Sequence, residues 1–496
     1  MPKFFAPASL VVLAALMAFS VFSCCLLGLY LIAGVGIRLP FKELIAVLIA
    51  AIVLMLAARA APRFGNYLLT MPQENRLWGY AVLLGLGLRL GVWMCTLPMV
   101  QINDGLHYLE LAQRLYQGQP YAMDGHAFWP PGTPFIYTAF LYVLGPVSWI
   151  AVAVNCVFFL LAAVAVRRIC SLLDFGPRAA GLTVATLALW PALFLTASQV
   201  SKETLLIGLL PAVFALVLSR RPGSALAAGA VAGLAILTQP SLMLLPALIG
   251  VALLAARLPL KTIFLRLLLL AIGAAAVIAP WSYRNYQVFG EAVAVSTNAG
   301  LVLHAGNQPA MVKPLGEVGG FLEPPAPPVP MANDLLLSRW HQAEAFRFIL
   351  ANKLDFARLV WNRVVITMGD DSDSAYRSLR LTNKVSDKAY LVAKALSNAY
   401  WMFVAAMLTV CCWSARKSSA APALAPAALM AAGATVCLMA VHGMAEGGAR
   451  HHMAWSWLYA LVLVVAAVRV RRAGDLPVGE AGLASGDAPG RVVRIA

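Results

Sequence analysis

The chain has 496 residues, of which 61% are hydrophobic and only 12% are charged. Globular proteins carry about 25% charged residues, so a series of water-soluble domains is excluded. The formal net charge of +16 comes from 37 Lys and Arg against 21 Asp and Glu. Most of these basic residues lie in short loops between apolar blocks, which is typical of the cytoplasmic loops of membrane proteins, and no nucleic-acid partner is expected.

Apolar blocks long enough to cross a bilayer recur along the chain. A spanning helix needs about 20 apolar residues, and a lipid-exposed backbone must satisfy its own hydrogen bonds. The sequence therefore predicts an all-α polytopic membrane protein with about 12 transmembrane helices, interfacial helices and a small outer-face helical segment. The predicted spans are 10–33, 43–58, 78–99, 147–166, 179–198, 203–219, 224–238, 241–256, 262–280, 396–413, 421–442 and 453–469.

The charges of the loops test this count, because cytoplasmic loops collect Lys and Arg. With the N-terminus inside, every basic loop falls on the cytoplasmic side: Arg59/Arg63/Arg76, Arg167/Arg168/Arg178, Arg220/Arg221, Arg257/Lys261/Arg266, Arg416/Lys417 and Arg469/Arg471/Arg472. The apolar segment 133–144 is too short to cross and is predicted to be re-entrant or interfacial. The prediction is a multi-pass protein of the plasma (inner) membrane with its polar groups gathered on the periplasmic face.

Five regions follow from this threading. They are an extra N-terminal helical hairpin (1–60), a transmembrane core (78–280) with its first outer loop (100–132), an outer-face segment (281–395), C-terminal transmembrane helices (396–470) and a disordered cytoplasmic tail (473–496). The outer-face segment contains a Pro-rich run at 323–330 and an amphipathic pattern from Leu336 to Leu359. The eight cysteines lie in or at the ends of apolar blocks without metal-type spacing, so neither a disulfide framework nor a zinc site is expected.

The first outer loop contains the strongest candidate for chemistry. If residues after 103 form a helix, Asp104, His107 and Tyr108 fall on one face at i, i+3 and i+4. A carboxylate at the water–lipid boundary beside apolar walls is desolvated and suited to general-base work. The alternative is structural, because an Asp before an apolar helical run is a normal N-cap.

The order of motifs in this loop carries a family resemblance. A D-x-x-x-Y stretch (104–108), an A-x-x-L-x-x-G helix end (112–118) and a P-P-x-x-P turn (130–134) closely resemble the first outer loop of the GT-C superfamily of membrane glycosyltransferases. The similarity is to the branch of the protein mannosyltransferases and lipid A aminoarabinose transferases. Further matches in the same order are the stretch 191–203, the P-W-x-x-R-N block at 280–285 and Arg450-His-His, which resembles an R-Y-x-P element without its Tyr and Pro.

This resemblance implies an inverting glycosyltransferase that moves a sugar from a polyprenyl-phosphate donor to a lipid, glycan or protein acceptor. Membrane lipids are expected to surround the protein. The loop acid that corresponds to Asp104 is the catalytic base in the family. A cation must balance the charge on the leaving phosphate, and the candidates for this donor site are Arg284, Arg450, Lys202 and His451. The predicted substrate pocket comprises His107, Tyr108, Glu203 and Gln239. For each cation, interfacial anchoring is the structural alternative.

The chain departs from the family pattern in two places. Many relatives have two adjacent acids in the first loop, but here Asn103 and Gly105 flank a single Asp104, so no cofactor is indicated and a divalent metal there lacks its second acid. Relatives of the aminoarabinose branch have Glu-Lys before the double proline, where this chain has Phe128-Trp129. The acid cluster at 370–373 lacks the spacing of a calcium loop and is predicted to be a solvated loop, with calcium binding as its alternative.

A second class of function remains open at this stage. A non-catalytic transporter, or an assembly subunit for lipid-linked sugars or cell-surface polysaccharide, would have a similar composition. Transporters carry ionisable groups at mid-span along a path. The predicted spans are nearly free of charge and the polar residues gather on one face, which favours the transferase.

Overall fold

The computed structural model describes residues 5–34, 41–71, 75–97, 100–121, 126–219, 221, 223–315, 322–381, 385–418 and 421–474. Arg220 of a predicted basic loop and residues 475–496 of the predicted tail lie outside this set. All regular secondary structure in the described residues is helical. Together with the long apolar helices described below, this confirms the prediction of an all-α multi-pass membrane protein.

Nineteen α-helices lie in the described residues. They are α1 (Phe5–Gly34), α2 (Lys42–Thr70), α3 (Asn75–Cys95), α4 (Asn103–Tyr116), α5 (Gly132–Leu144), α6 (Ile150–Leu172), α7 (Gly176–Ala188), α8 (Pro191–Leu195), α9 (Lys202–Leu218), α10 (Ser224–Thr238), α11 (Leu245–Ala255), α12 (Leu260–Phe289), α13 (Ala299–Gly306), α14 (Asp334–Ala351), α15 (Lys353–Gly369), α16 (Asp373–Ala375), α17 (Asp387–Ala415), α18 (Ala421–Met444) and α19 (Ser456–Gly474). Four 3-10 turns (Thr196–Ser198, Pro240–Leu244, Pro309–Met311 and His451–Trp455) and a π-helical turn (Tyr376–Arg380) interrupt or join them.

Each predicted span lies mostly on helical residues, but 179–198 is divided between α7 and α8. Among the described residues, eight helices are long and apolar enough to cross a membrane: α1, α2, α3, α6, α12, α17, α18 and the segment His451–Val468 that leads into α19. The pair α7 and α8, bent by 61°, makes a ninth if it is one span. The predicted spans 203–219, 224–238 and 241–256 fall on helices of fewer than 18 residues, which at 1.5 Å per residue extend less than about 27 Å.

The N-terminal hairpin packs through its first helix. Helix α1 contacts α15, α17 and α18, and half of its apolar window is buried, whereas only 17% of the corresponding window of α2 is buried. Helix α2 therefore presents most of its apolar surface to the surrounding lipid. In α3, the guanidinium of Arg89 is 1% exposed, bonded to Asn155 and packed on the Phe159 ring, so this intramembrane charge is held by the packing of α3 on α6.

The outer-face segment differs in detail from its predicted limits. Helix α12 continues through Pro280 to Phe289, so the P-W-x-x-R-N block is the last part of a spanning helix instead of the start of a separate segment. A proline is tolerated inside a transmembrane helix because neighbouring groups satisfy the freed carbonyl. The amphipathic pattern forms α14 and α15, and the side chain of Asn333 caps α14 by accepting the backbone N–H of Leu336 at 3.0 Å.

The two ends of the bundle carry different groups. The beginnings of α4 and α9 and the turn that precedes α19 meet at one end, around Arg450. The second half of α2, with Arg59 and Arg63, lies beside the last turns of α17, which Arg416 follows. This separation agrees with the charge pattern of the predicted loops.

Reporter fusions test the threading directly. A topology reporter inserted after Gln119 or Asn333 should report the periplasm, and one inserted after Arg221 or Arg416 should report the cytoplasm, because the basic loops are retained inside. Alkaline phosphatase and green fluorescent protein fusions measure the two compartments. A cytoplasmic signal after Gln119 would place Asp104 on the wrong face of the membrane for the activity proposed below.

Candidate active site

Asp104 lies in the first turn of α4, with its carboxylate turned away from the helix end. The helix starts at Asn103, whose φ is +49°, and no side chain caps it. The Asp104 carboxylate instead accepts a hydrogen bond from Nη2 of Arg450 at 2.8 Å. The N-cap alternative for Asp104 is wrong, because Ile102 is the N-cap residue and no side chain accepts a hydrogen bond from the first turn of α4.

Close backbone contact brings the start of α4 to the start of α9. A Cβ at Gly105 would lie 2.6 Å from the carbonyl oxygen of Val200, so only glycine permits this approach. The Gln101 side chain clamps the same two segments, since its Oε1 accepts the Val200 N–H at 2.8 Å and its Nε2 donates to the Ser198 carbonyl at 3.0 Å. Gly105 thus allows the start of α4 to approach the start of α9, which brings Asp104 near Glu203.

Arg450 joins the two carboxylates. Its Nη2 contacts Asp104, and its Nε lies 3.5 Å from Oε1 of Glu203. The side chains of Asp104, Arg450 and Glu203 are 28%, 13% and 2% exposed, so Glu203 is the deepest of the three. Glu203 also accepts the Ser201 hydroxyl at 2.6 Å. Among the described residues, Nη1 of Arg450 has no hydrogen-bond partner, so the guanidinium retains donors for a further anion.

The charges around Asp104 set its basicity. Burial raises the pKa of the Asp104 carboxyl, but the positive charge of Arg450, followed by those of Lys202 and Arg377, outweighs burial and lowers the pKa to about 2. The carboxylate therefore stays ionised across physiological pH. While it is paired with Arg450 it is a weak base, and it becomes a stronger one when the guanidinium is drawn elsewhere.

A buried network fixes the loop that carries Arg450. Arg363 of α15 is 3% exposed and donates to the carbonyls of Gly443 and Met444, each at 3.0 Å. The backbone N–H of Gly448 donates to the Thr367 hydroxyl at 3.3 Å. Helix α15 therefore holds the chain between α18 and α19 in place.

His452 is the second anchor of that loop. Its Nδ1 lies 3.0 Å from the Thr367 carbonyl and its Nε2 lies 2.9 Å from Asp371, and both side chains of the pair are fully buried. Trp190 donates to the other Asp371 oxygen at 2.7 Å, and Trp401 stacks on the imidazole at 4.4 Å. Burial raises the pKa of Asp371. His452 thus has a buried structural partner, Asp371.

The acid cluster is not the solvated loop that was predicted. Asp371 is buried because Trp190 and His452 provide its hydrogen bonds, and Asp373 pairs with Nε of Arg377 at 2.8 Å. In the described part of the chain, no group of three or more His, Cys, Asp or Glu side chains could hold a metal ion. The cluster therefore contains one fully buried carboxylate, Asp371, and one carboxylate in an ion pair with arginine, Asp373.

A polar cleft opens beside Glu203 and Arg450. Asp373 and Arg377 line it together with Gln199 and Ser201. Arg377 is not among the residues predicted from the sequence, although its i, i+4 spacing from Asp373 is the ordinary signal of a helical ion pair. The Nη atoms of Arg377 have no partner among the described residues, and its π-helical turn (Tyr376–Arg380) is a geometry that occurs frequently at functional sites.

Aromatic rings form the wall of the first outer loop. Trp129 stacks on His107 with ring centroids 5.1 Å apart and meets Tyr108 edge-on at 5.5 Å. His107 is half-exposed and lies 3.5 Å from Glu110, whereas Tyr108 is buried. Burial, then the charge of Asp104, raises the pKa of Tyr108, so its hydroxyl stays neutral. Trp129 thus packs against both of the predicted pocket residues on α4, His107 and Tyr108.

The remaining predicted residues lie in three places. Lys202 begins α9, next to Glu203, and has no ion-pair partner in the described residues. Gln239 and His451 line a second, largely apolar cavity between α11 and α18, where the His451 ring stacks on His442 at 3.5 Å. Arg284 lies over the Trp281 ring at 5.0 Å and bonds to Asn285, without a direct contact to the Asp104, Arg450 and Glu203 group.

No protein-family model and no curated protein matches the sequence. Among solved structures, the chain is similar to ArnT from Cupriavidus metallidurans bound to undecaprenyl phosphate, with 15% identity, a TM-score of 0.36, and 79% of this chain and 78% of that chain covered. It is also similar to the apo state of the same protein, with 16% identity, a TM-score of 0.33 and the same coverage. At these values the likeness concerns fold alone.

Proposed function

We propose that this protein is an inverting glycosyltransferase that uses a polyprenyl-phosphate sugar donor at the outer face of the plasma membrane. The observation that carries the proposal is the sharing of Arg450 between Asp104 and Glu203 at the edge of a polar cleft. The site thus combines a carboxylate, Asp104, with a guanidinium, Arg450, whose remaining N–H groups can donate to a further anion. Transfer of a sugar from a phosphate donor needs a base for the proton of the acceptor and a cation for the negative charge on the leaving phosphate.

The reaction is a single displacement. Asp104 takes the proton of an acceptor hydroxyl or amine, the acceptor atom bonds to the anomeric carbon, and the bond from that carbon to the phosphate oxygen breaks. The polyprenyl phosphate leaves with the electron pair and its negative charge. Because one displacement occurs, the configuration at the anomeric carbon inverts.

Arg450 couples donor binding to the basicity of Asp104 in this proposal. The bound donor phosphate attracts the guanidinium, which then relaxes its hydrogen bond to Asp104. Losing that positive neighbour raises the pKa of Asp104 from its paired value of about 2. The base therefore becomes effective only when the donor is in place, and Glu203 keeps Arg450 close to the site throughout.

Three cations surround the proposed phosphate position. Arg450, Lys202 and Arg377 are the charges that lower the pKa of Asp104, which places all three within electrostatic range of it. The donor phosphate is proposed to bind among them. Arg284 and His451 remain proposed donor contacts, with Arg284 in the aromatic region of Trp281 and His451 in the neighbouring apolar cavity.

Mass spectrometry of surface lipids and glycans tests the function as a whole. A strain that lacks this protein should lose a sugar modification, and the wild-type gene should restore it. A polyprenyl-phosphate sugar should accumulate in the deletion strain, because its consumer is missing. An unchanged set of surface molecules would contradict the proposed sugar transfer.

Replacing Arg377 with Gln should raise the KM for the donor by about 10- to 100-fold, with a smaller effect on kcat, because hydrogen bonds to a charged group are lost. Initial rates against the concentration of a purified polyprenyl-phosphate sugar provide the measurement. Arg380→Gln is the matched control, since Arg380 lies on the same turn but pairs with Asp387 at the exposed surface. A KM for Arg377→Gln equal to that of Arg380→Gln would remove Arg377 from the donor site.

A further inference from the structure

A groove lies at the opposite end of the bundle from Arg450. Helix α2 lines it with Leu54, Ala58 and Gly65, α17 with Cys411 and Trp413, and α19 with Ala467. Its volume is about 1140 Å³ including the open mouth. The extra N-terminal hairpin therefore leaves a gap between its second helix and the C-terminal helices.

The walls of this groove require an apolar occupant. Its lining is mostly aliphatic or aromatic, and α2 presents most of its surface outward. A gap without partner atoms forfeits dispersion contacts along its lining. Within the hydrocarbon region, lipid chains are the molecules at hand to fill such a gap.

The mouth of the groove is positively charged. The guanidinium of Arg416 lies 3.4 Å from the ring centroid of Trp413, a groove residue that is 51% exposed. Arg59 and Arg63 are exposed and directly follow the lining residues Ala58 and Pro62 in sequence, and Lys417 follows Arg416. Residues 54–71 and 405–418 contain no Asp or Glu. Basic pockets between transmembrane helices on the cytoplasmic side bind anionic lipid head groups.

We propose that this groove binds an anionic phospholipid of the cytoplasmic leaflet. Its acyl chains lie against the apolar walls and its head-group phosphate lies at Arg416, with Arg59, Arg63 and Lys417 adding positive charge. The lipid joins the N-terminal hairpin to the C-terminal helices. This site is separate from the Asp104 group and does not depend on the proposed sugar transfer.

Lipid titration of the purified, delipidated full-length protein tests the site. By native mass spectrometry, phosphatidylglycerol should bind more tightly than phosphatidylcholine, and added salt should reduce this preference because it screens exposed charges. Arg416→Gln should weaken phosphatidylglycerol binding about fivefold and leave phosphatidylcholine binding unchanged. Ala61→Phe, which fills the groove, should weaken both lipids. Arg168→Gln, in the last turns of α6 and away from the groove, is the matched control and should bind like the wild type.

Three outcomes would overturn the proposal. They are equal affinity of the wild type for the two lipids, unchanged phosphatidylglycerol binding by Arg416→Gln, and displacement of phosphatidylglycerol by undecaprenyl phosphate at equal concentration. The last result would identify the groove as a site for the polyprenyl chain. If Ala61→Phe fails to fold, the Arg416→Gln comparison and the salt dependence still decide the question.

Discussion

Replacing Asp104 with Asn is expected to reduce sugar transfer by about 10²- to 10⁴-fold, while the protein accumulates in the membrane at its normal level. The amide oxygen of Asn can still accept the hydrogen bond from Arg450, but the side chain cannot take a proton. Glu203 remains as the buried partner of the guanidinium, so the fold keeps its ion pair. Product formation by mass spectrometry and membrane level by immunoblot provide the two measurements.

Glu291→Gln is the matched control for this change. Glu291 is an exposed carboxylate that also pairs with an arginine, Arg339, and its replacement changes the same charge away from the site. Transfer by the control should equal that of the wild type. If Asp104→Asn also retained most of its transfer activity, Asp104 would not be the base, and Glu203 would become the candidate.

Replacing Arg450 with Ala should damage both stability and transfer. The change leaves Glu203, which is 2% exposed, without its cation, and removing one partner of a buried ion pair costs about 3–5 kcal/mol. Arg450→Lys keeps a charge but loses the fork that reaches two carboxylates, so its stability should be closer to the wild type while its transfer is reduced. The thermal unfolding midpoint in detergent and the initial transfer rate separate the two effects.

A double variant separates the structural role of Arg450 from its catalytic role. Arg450→Gln combined with Glu203→Gln removes both charges, so the membrane level should recover relative to Arg450→Ala, whereas transfer should stay low. Arg339→Ala, which breaks the exposed pair with Glu291, is the control and should have little effect on either measurement. If both Arg450→Ala and Arg450→Lys transferred sugar at the wild-type rate, Arg450 would have a structural role only.

Much of the architecture is predictable from local composition. Each predicted span lies mostly on helical residues, because a continuous apolar run in lipid has few alternatives to helical structure. The order of motifs also predicts Asp104, Glu203 and Arg450 as candidate site residues. What these patterns could not predict is that the three side chains meet, since Asp104 and Arg450 are 346 positions apart.

The membrane class and the helices are predictable from the sequence, because they depend on periodicity and composition over short stretches, and Asp104 is a candidate through the order of motifs in its loop. Only the packed structure shows that Gly105 permits the contact with Val200, that Asp371 is buried against His452, and that Arg377 lines the cleft beside Glu203. Each of these depends on segments far apart in the chain. The sequence does not show whether a carboxylate is solvated or buried. The partners that packing brings beside it set its pKa, its charge and therefore its chemical role.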